Sequence, residues 1–261
     1  LEEQFYQRVG DDLVPTVMTR GPWDSRFQHG GPPAALLAGS LQRFAGGDAY
    51  WLVRIWIELF KPVPIAPLRL EMVVERDGRT VQRLRGALTA AGHTVAVARC
   101  LRIRRSPLEL PAPATRPAAP APWPDPESLA DYTFTFFRDE VGYHRAVQLR
   151  LAHGTWGSTP IGFWGRSRIP LFADEAITPL ENLMILADAQ SGMGVPLDPA
   201  RYAFPNPDLT VYFERPPFGG WAGFDIRSTA NALGAGLSQS AIRDERGLVA
   251  RSAQSLVVSS R

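Results

Sequence analysis

The chain is 261 residues long, with 45% apolar and 21% charged residues and a formal net charge of +2. This is a soluble globular composition, long enough for one large domain or two small ones, and its charge balance argues against a general nucleic-acid binder. No apolar run approaches the ~20 residues of a membrane span, and a lone cysteine, Cys100, excludes a disulfide framework and a thiolate metal cluster.

The opening residues, LEEQFYQRVGDD, carry acids and no apolar segment, unlike a signal peptide. With Cys100 reading as a small buried hydrophobe, a reducing, cytoplasmic location is expected. The positive charge is nearly all arginine, Lys61 being the single lysine. That usage reads as genomic base composition more than as phosphate binding.

In chain order, residues 5–23 predict strands broken at Gly10 and Gly21. The segment FQHGGPPAALLAGSLQRF follows and predicts a helix over residues 29–44. Small and aliphatic residues cover most of its sides, the pattern of a buried helix. Pro32 and Pro33 suit a first turn, whose N–H groups lack intrahelical partners in any case. A β-rich stretch covers residues 50–64. Strands are then predicted over 68–75, 81–90 and 95–103, separated by the turn signals Asp77-Gly78 and Ala91-Gly92-His93.

Residues 107–126 carry eight prolines. Proline fixes φ and lacks an N–H, so this segment reads as an extended connector, not a helix or central strand. Beyond it the plan repeats. Strands are predicted over 134–156 and 160–169, a helix over 180–193, and strands over 209–214, 223–231 and 236–243. A turn at Asp244-Glu245-Arg246-Gly247 leads to a last strand over 248–258. Lys61-Pro62 and Arg215-Pro216 fall at matching points about 154 residues apart.

The expected class is therefore α+β: an antiparallel sheet wrapped around one central helix, made twice. The two sheets are expected to meet edge to edge as one continuous sheet, which hides edges that would otherwise invite aggregation. The expected division is residues 1–106, a connector at 107–127, and residues 128–261. The first unit has His-Gly-Gly before its helix and no acid within it. The second has Asp188 in its helix and no His-Gly-Gly. Two incomplete sets imply one composite site between the units.

The segments NPDLTVYFERPP, DERGLVARSAQSLVV and FQHGGPPAALLA resemble those of the acyl-CoA thioesterase II (TesB-like) proteins within the broader thioesterase-like superfamily. The resemblance spans most of the chain and is weakest over residues 1–21 and 107–156. It implies a double hotdog fold, an acyl-CoA or other acyl-thioester substrate, a possible homodimer, and no cofactor. In that family an Asp, a Thr or Ser, and a Gln hold the hydrolytic water. Asp208, the Ser228-Thr229 pair (Thr229 the better fit) and Gln254 match these. In other hotdog thioesterases a His-Gly-Gly precedes one helix and an Asp sits on the neighbouring helix. His29-Gly30-Gly31 and Asp188 resemble that pair.

Thioester hydrolysis passes through a tetrahedral oxyanion, which needs hydrogen-bond donors where the charge develops. Free N–H groups at a helix start can supply them. Gly30 and Gly31 lie at such a start, or merely make the turn into the helix. A carboxylate such as Asp208 can take a proton from water that Gln254 and Thr229 orient. Asp188, in an otherwise apolar helix, is either a site residue or a structural acid, since an unpaired buried carboxylate is costly. His29 either orients the substrate or holds the loop. Trp51, Trp56, Phe60, Phe213 and Trp221 line an acyl slot or belong to the ordinary core. His93, His144 and His153 lack metal-ligand spacing.

HGGP resembles an esterase oxyanion loop, but the G-x-S-x-G elbow of that class is absent. Gly-Ala-Gly at Gly234 to Gly236 joins two strands and opens no helix, which excludes a dinucleotide site. A non-catalytic acyl-thioester binding protein, serving a lipid or polyketide pathway, is the alternative to a thioesterase, with a hotdog hydratase or dehydratase third.

Overall fold

The computed structural model describes residues 3–111, 123–134, 137 and 139–261. The centre of the proline-rich connector lies outside the described residues, as do residues 135, 136 and 138 of the first strand region expected in the second unit.

The chain begins with strands β1 (Tyr6–Val9) and β2 (Asp12–Pro15). The strand expected to run on to residue 23 ends there. Thr16 accepts the Met18 N–H through its side chain and turns the chain into a short 3-10 segment, Val17–Thr19. Helix α1 (Gly31–Arg43) follows, with Pro32 and Pro33 in its first turn and ten of its residues buried. Next come β3 (Tyr50–Leu59), β4 (Leu68–Asp77), β5 (Val81–Ala90) and β6 (His93–Arg104). The β5–β6 hairpin turns at Ala91 and Gly92, both at positive φ, which matches the right-handed twist of the flanking strands.

In the second half, part of the expected strand over 134–156 is a short helix, α2 (Tyr143–Ala146), whose Tyr143 is wholly buried. Strands β7 (Val147–His153) and β8 (Ile161–Ser167) lead to helix α3 (Pro179–Ala187). Thr178 and Glu181 cap its start reciprocally, each bonding the other's backbone N–H. The single helix expected over 180–193 is broken. The Ala189 N–H reaches back only three residues, to the Leu186 carbonyl, and a separate turn, α4 (Gln190–Gly194), follows. Tightened turns of this kind inside a helix often mark functional positions. The chain finishes with β9 (Tyr202–Ala203), β10 (Asp208–Phe213), β11 (Ala222–Ala230), β12 (Ala235–Asp244), β13 (Gly247–Val257) and β14 (Ser259–Ser260).

Twelve strands form one antiparallel sheet in the order β1-β2-β4-β5-β6-β3-β10-β13-β12-β11-β8-β7. This is the α+β double hotdog. Each half of the sheet curls round its own helix, and the halves join where β3 pairs with β10. Trp56 pairs with Thr210, and Ile55 and Ile57 pair with Val211 and Leu209. The same spacing that relates Lys61-Pro62 to Arg215-Pro216 relates Trp56 to Thr210, so a local two-fold axis crosses the seam at that pair. Strand alternation sends Leu209, Val211 and Phe213 to the helix side and Thr210 and Tyr212 to the outside.

The two central helices touch. A Cβ on Gly31 would sit on the Ile185 carbonyl oxygen, and one on Gly39 would meet the Glu181 carboxylate. Glu181, almost fully buried, also pairs with Arg43 at 2.7 Å. At the far end of α1 the wholly buried Arg102 guanidinium donates to the carbonyls of Leu41, Gln42 and Ala45. It satisfies the helix's last acceptors and complements its dipole.

Gly31→Ala is expected to lower unfolding stability by about 1–3 kcal/mol, since the new methyl meets backbone that cannot move aside. Thermal unfolding of the purified variant checks this, at roughly 2–4 °C of Tm per kcal/mol for a chain of this size class. An unchanged Tm would mean the helices separate freely.

Candidate active site

The break after α3 brings a carboxylate to the start of α1. Asp188 caps α3 and is almost fully buried. Its Oδ2 lies 3.2 Å from Nδ1 of His29. Its Oδ1 accepts from Nδ2 of Asn206 at 2.8 Å and from Nε2 of Gln254 at 3.3 Å. The approach to α1 is so close that a Cβ on Gly30 would lie 2.6–2.7 Å from the carboxylate atoms. Glycine is required here because two helix ends and a carboxylate share the space.

His29 is held through its backbone and its ring. Its backbone N–H donates to the Thr19 carbonyl at 2.7 Å. Its ring stacks on Tyr143 with centroids 3.7 Å apart and 2° between planes. The Tyr143 hydroxyl donates to the Ile185 carbonyl at 3.0 Å. Burial pushes the His29 imidazole below the ordinary histidine range, partly opposed by the Asp188 charge. Burial, reinforced by Asp188, drives the Tyr143 phenol well above its usual range, so it remains a neutral donor. The Gly31 N–H donates to Nδ1 at 3.0 Å. One ring nitrogen cannot both accept from Gly31 and donate to Asp188, so its bonding follows the proton. The lowered pKa favours the neutral ring at pH 7.

The start of α1 has few donors left. Pro32 and Pro33 have no N–H, and the Gly31 N–H is taken by His29. The Gly30 N–H is the remaining donor at this end. Gln254, fully buried, turns Nε2 towards the Asp188 carbonyl and carboxylate, which leaves its Oε1 buried without a partner. The reverse orientation would set oxygen against oxygen, so the unpaired atom is the acceptor. A buried acceptor without a partner is costly and rare in native proteins.

Sequence reasoning distributed the site differently. Gln254 faces the helices, but Asp208 lies opposite Ser255 on the outer face of the sheet, where its Oδ1 accepts the Ser255 N–H at 2.7 Å. Thr229 is exposed, also on the outer side. Ser228 is buried beneath α4 and donates to Oγ of Ser238 at 2.8 Å. The structure therefore brings His29, Gly30, Gly31, Asp188 and Gln254 together and leaves Asp208, Ser228 and Thr229 apart from them. For Asp208 and Thr229 the reason is the two-residue period of strands, by which neighbours in sequence point to opposite faces; Ser228 faces inward, two strands from Gln254, and bonds to Ser238 instead. Asn206 was missed. It stands in the quoted NPDLTVYF segment, but just before β10, where strand alternation does not yet say which way a side chain faces.

Of this cluster His29, Gly30 and Asp188, with Asn206, line a cavity of about 490 Å³ to which both halves contribute. Its walls are mostly apolar and include Trp23, Phe27, Leu59 and Val63. Of the aromatics considered for an acyl slot, Phe60 lines it. Phe213 is core, and buried Trp221 lies under the guanidinium groups of Arg150 and Arg166. Trp56 lies at the seam, and Trp51 packs against the core. Among the described residues no three His, Cys, Asp or Glu side chains converge on a metal position. No helix among them is long and apolar enough to cross a membrane.

The solved structure of a hotdog-fold protein from Alicyclobacillus acidocaldarius is similar, with 16% identity, a TM-score of 0.71, and coverage of 98% of this chain and 96% of that one. So is the tesB protein of Mycobacterium avium subs paratuberculosis, with 19% identity, a TM-score of 0.64, and coverage of 97% and 96%. The acyl-CoA thioesterase II TesB2 of Mycobacterium marinum has 15% identity, a TM-score of 0.68, and coverage of 98% and 96%. At such identities the likeness carries the fold. None of the curated proteins matches the chain in sequence. The acyl-CoA thioesterase N-terminal domain family matches residues 19–103, and the acyl-CoA thioesterase C-terminal domain family matches residues 115–258. With more than half of its length inside the second of these, the chain belongs to the acyl-CoA thioesterase family.

Proposed function

We propose that this protein hydrolyses an acyl thioester to a free acid and a thiol, using a water held between Asp188 and Gln254, with Asn206 fixing the Asp188 carboxylate. The observation that carries this reading is the unpaired, buried Oε1 of Gln254 beside the Asp188 carboxylate. A water there gives one hydrogen to Gln254 and the other to Asp188, and its oxygen lone pair is left for the substrate. Family membership supports the same substrate class.

In the proposed step the water oxygen attacks the thioester carbonyl carbon as its proton passes to Asp188. The carbonyl electron pair moves onto oxygen, where the Gly30 N–H and the start of α1 stabilise the oxyanion. The oxyanion collapses, the C–S bond breaks, and the sulfur leaves with the proton from Asp188. The acid and thiol that result balance the water consumed. His29 is a positioning residue. As a neutral ring it accepts from Gly31 and keeps the turn into α1 in place. The apolar cavity walls take the acyl chain and limit access of bulk water.

Asp188→Asn is expected to lower kcat by about 10²-fold or more, and Gln254→Ala by about 10²-fold. Asp208→Asn and Thr229→Ala are expected to stay at the wild-type level. Purified protein, a panel of acyl-CoAs and a free-thiol assay test all four. Loss of turnover in Asp208→Asn with Asp188→Asn active would reverse the assignment. A wild-type protein that binds acyl-CoA without cleaving it would support the binding-protein alternative.

The pH profile follows from His29. Its proton would displace the Gly31 bond and pair with Asp188, so the working form is the neutral ring. Because burial holds its pKa below the usual 6.5, kcat/KM should stay level as pH falls to 6.5 and decline only below it. Folding stability should fall over the same range, since the unfolded chain takes the proton that the folded one resists. A decline in kcat/KM centred above 6.5 would assign the limb to another group.

A further inference from the structure

A second cavity, of about 790 Å³, adjoins the one over Asp188, and Phe27, Lys61 and Pro62 line both. We propose that this second groove seats the phosphorylated nucleotide end of coenzyme A, with Lys61 as the residue that recognises its phosphates. The proposal rests on the thioester reading of the Asp188 site. A substrate whose carbonyl lies at Gly30 must lead its thiol arm out past the shared rim, and that rim holds Lys61.

The charge arrangement points to an anion. Lys61 is exposed and is the single lysine of an arginine-rich chain. Its backbone N–H is tied to the Val95 carbonyl at 3.3 Å, and Pro62 follows it, so its position on the rim is set by the chain. The one carboxylate lining the groove, Asp12, is already bonded to Arg69 at 2.9 Å. The Lys61 charge therefore has no counter-charge in the groove. An ammonium on a flexible stem is a compact cation that can meet phosphate from many directions. Beyond it the lining is mostly apolar, with Pro64, Ala66 and Pro67 presenting surface suited to a purine ring. A thiol arm that ended in pantetheine alone would leave both the cation and this wall unused.

Titration calorimetry of the full chain with CoA and with pantetheine tests this without requiring turnover. CoA is expected to bind about tenfold or more tightly than pantetheine, the scale of one charge-assisted contact. Lys61→Glu is expected to weaken CoA by at least that factor and leave pantetheine unchanged. Arg227→Glu, an exposed reversal on β11, should leave CoA binding intact and so exclude a general charge effect. Equal affinity for CoA and pantetheine, undiminished CoA binding by Lys61→Glu, or an equal loss in Arg227→Glu would overturn the proposal. So would a higher kcat/KM for an acyl-carrier-protein thioester than for the same acyl group on CoA. Discrimination between CoA and pantetheine through Lys61 in a protein that cleaves no thioester would sustain this groove and sink the hydrolytic role alone.

Discussion

The close approach of the two central helices governs the rest of this molecule. α1 and α3 meet so tightly that Gly31 lies against the Ile185 carbonyl, with no space for a side chain. This contact brings the end of one helix to the beginning of the other. At that junction a carboxylate from the second half meets the His-Gly-Gly of the first. Larger residues would push the helices apart and separate Asp188 from His29 and Gly30. The sheet seam between β3 and β10 holds the same geometry from the outside, so the site is braced by both layers of the fold.

Three buried charged side chains show how the interior is organised. Arg102 and Glu181 are structural: one closes the end of α1 on its carbonyls, the other caps α3 and meets Arg43. Asp188 has a different surrounding. Its partners are two amide side chains and a histidine, with no arginine or lysine among them. A carboxylate held by amides with no cation beside it keeps lone pairs free to accept a further hydrogen bond. Beside it lies a buried acceptor with nothing to accept. Among the described residues, the other buried acids, Glu181 and Asp244, each pair with an arginine instead.

Much of this was legible in sequence. The His-Gly-Gly at a proline-led helix start, the acid at Asp188 after an apolar helical run, and strands marked by Asp-Gly and Ala-Gly turns are local signals, readable over a few residues. Which way a strand residue faces was not legible. Asp208 and Gln254 both stand in strands that were recognised, yet they face opposite sides of the sheet, because a shift of one residue reverses a side chain's direction. The break at Asp188 and Ala189 carries no proline or glycine to announce it. Asn206 lies where the chain enters β10, and its direction is set by the bend it makes towards Asp188.

The sequence by itself determined the duplicated α+β plan, the burial of both helices and the division of the His-Gly-Gly and Asp188 between the halves. Those properties follow from hydrophobic period, turn chemistry and the uneven distribution of polar groups, all of which are local. Only the tertiary structure decided which acid joins the histidine, which amides hold that acid, and how the cavity runs on to Lys61. Those depend on strand parity, a tightened helical turn and the contact of two helices distant in sequence, and each is fixed by packing between segments, not within them.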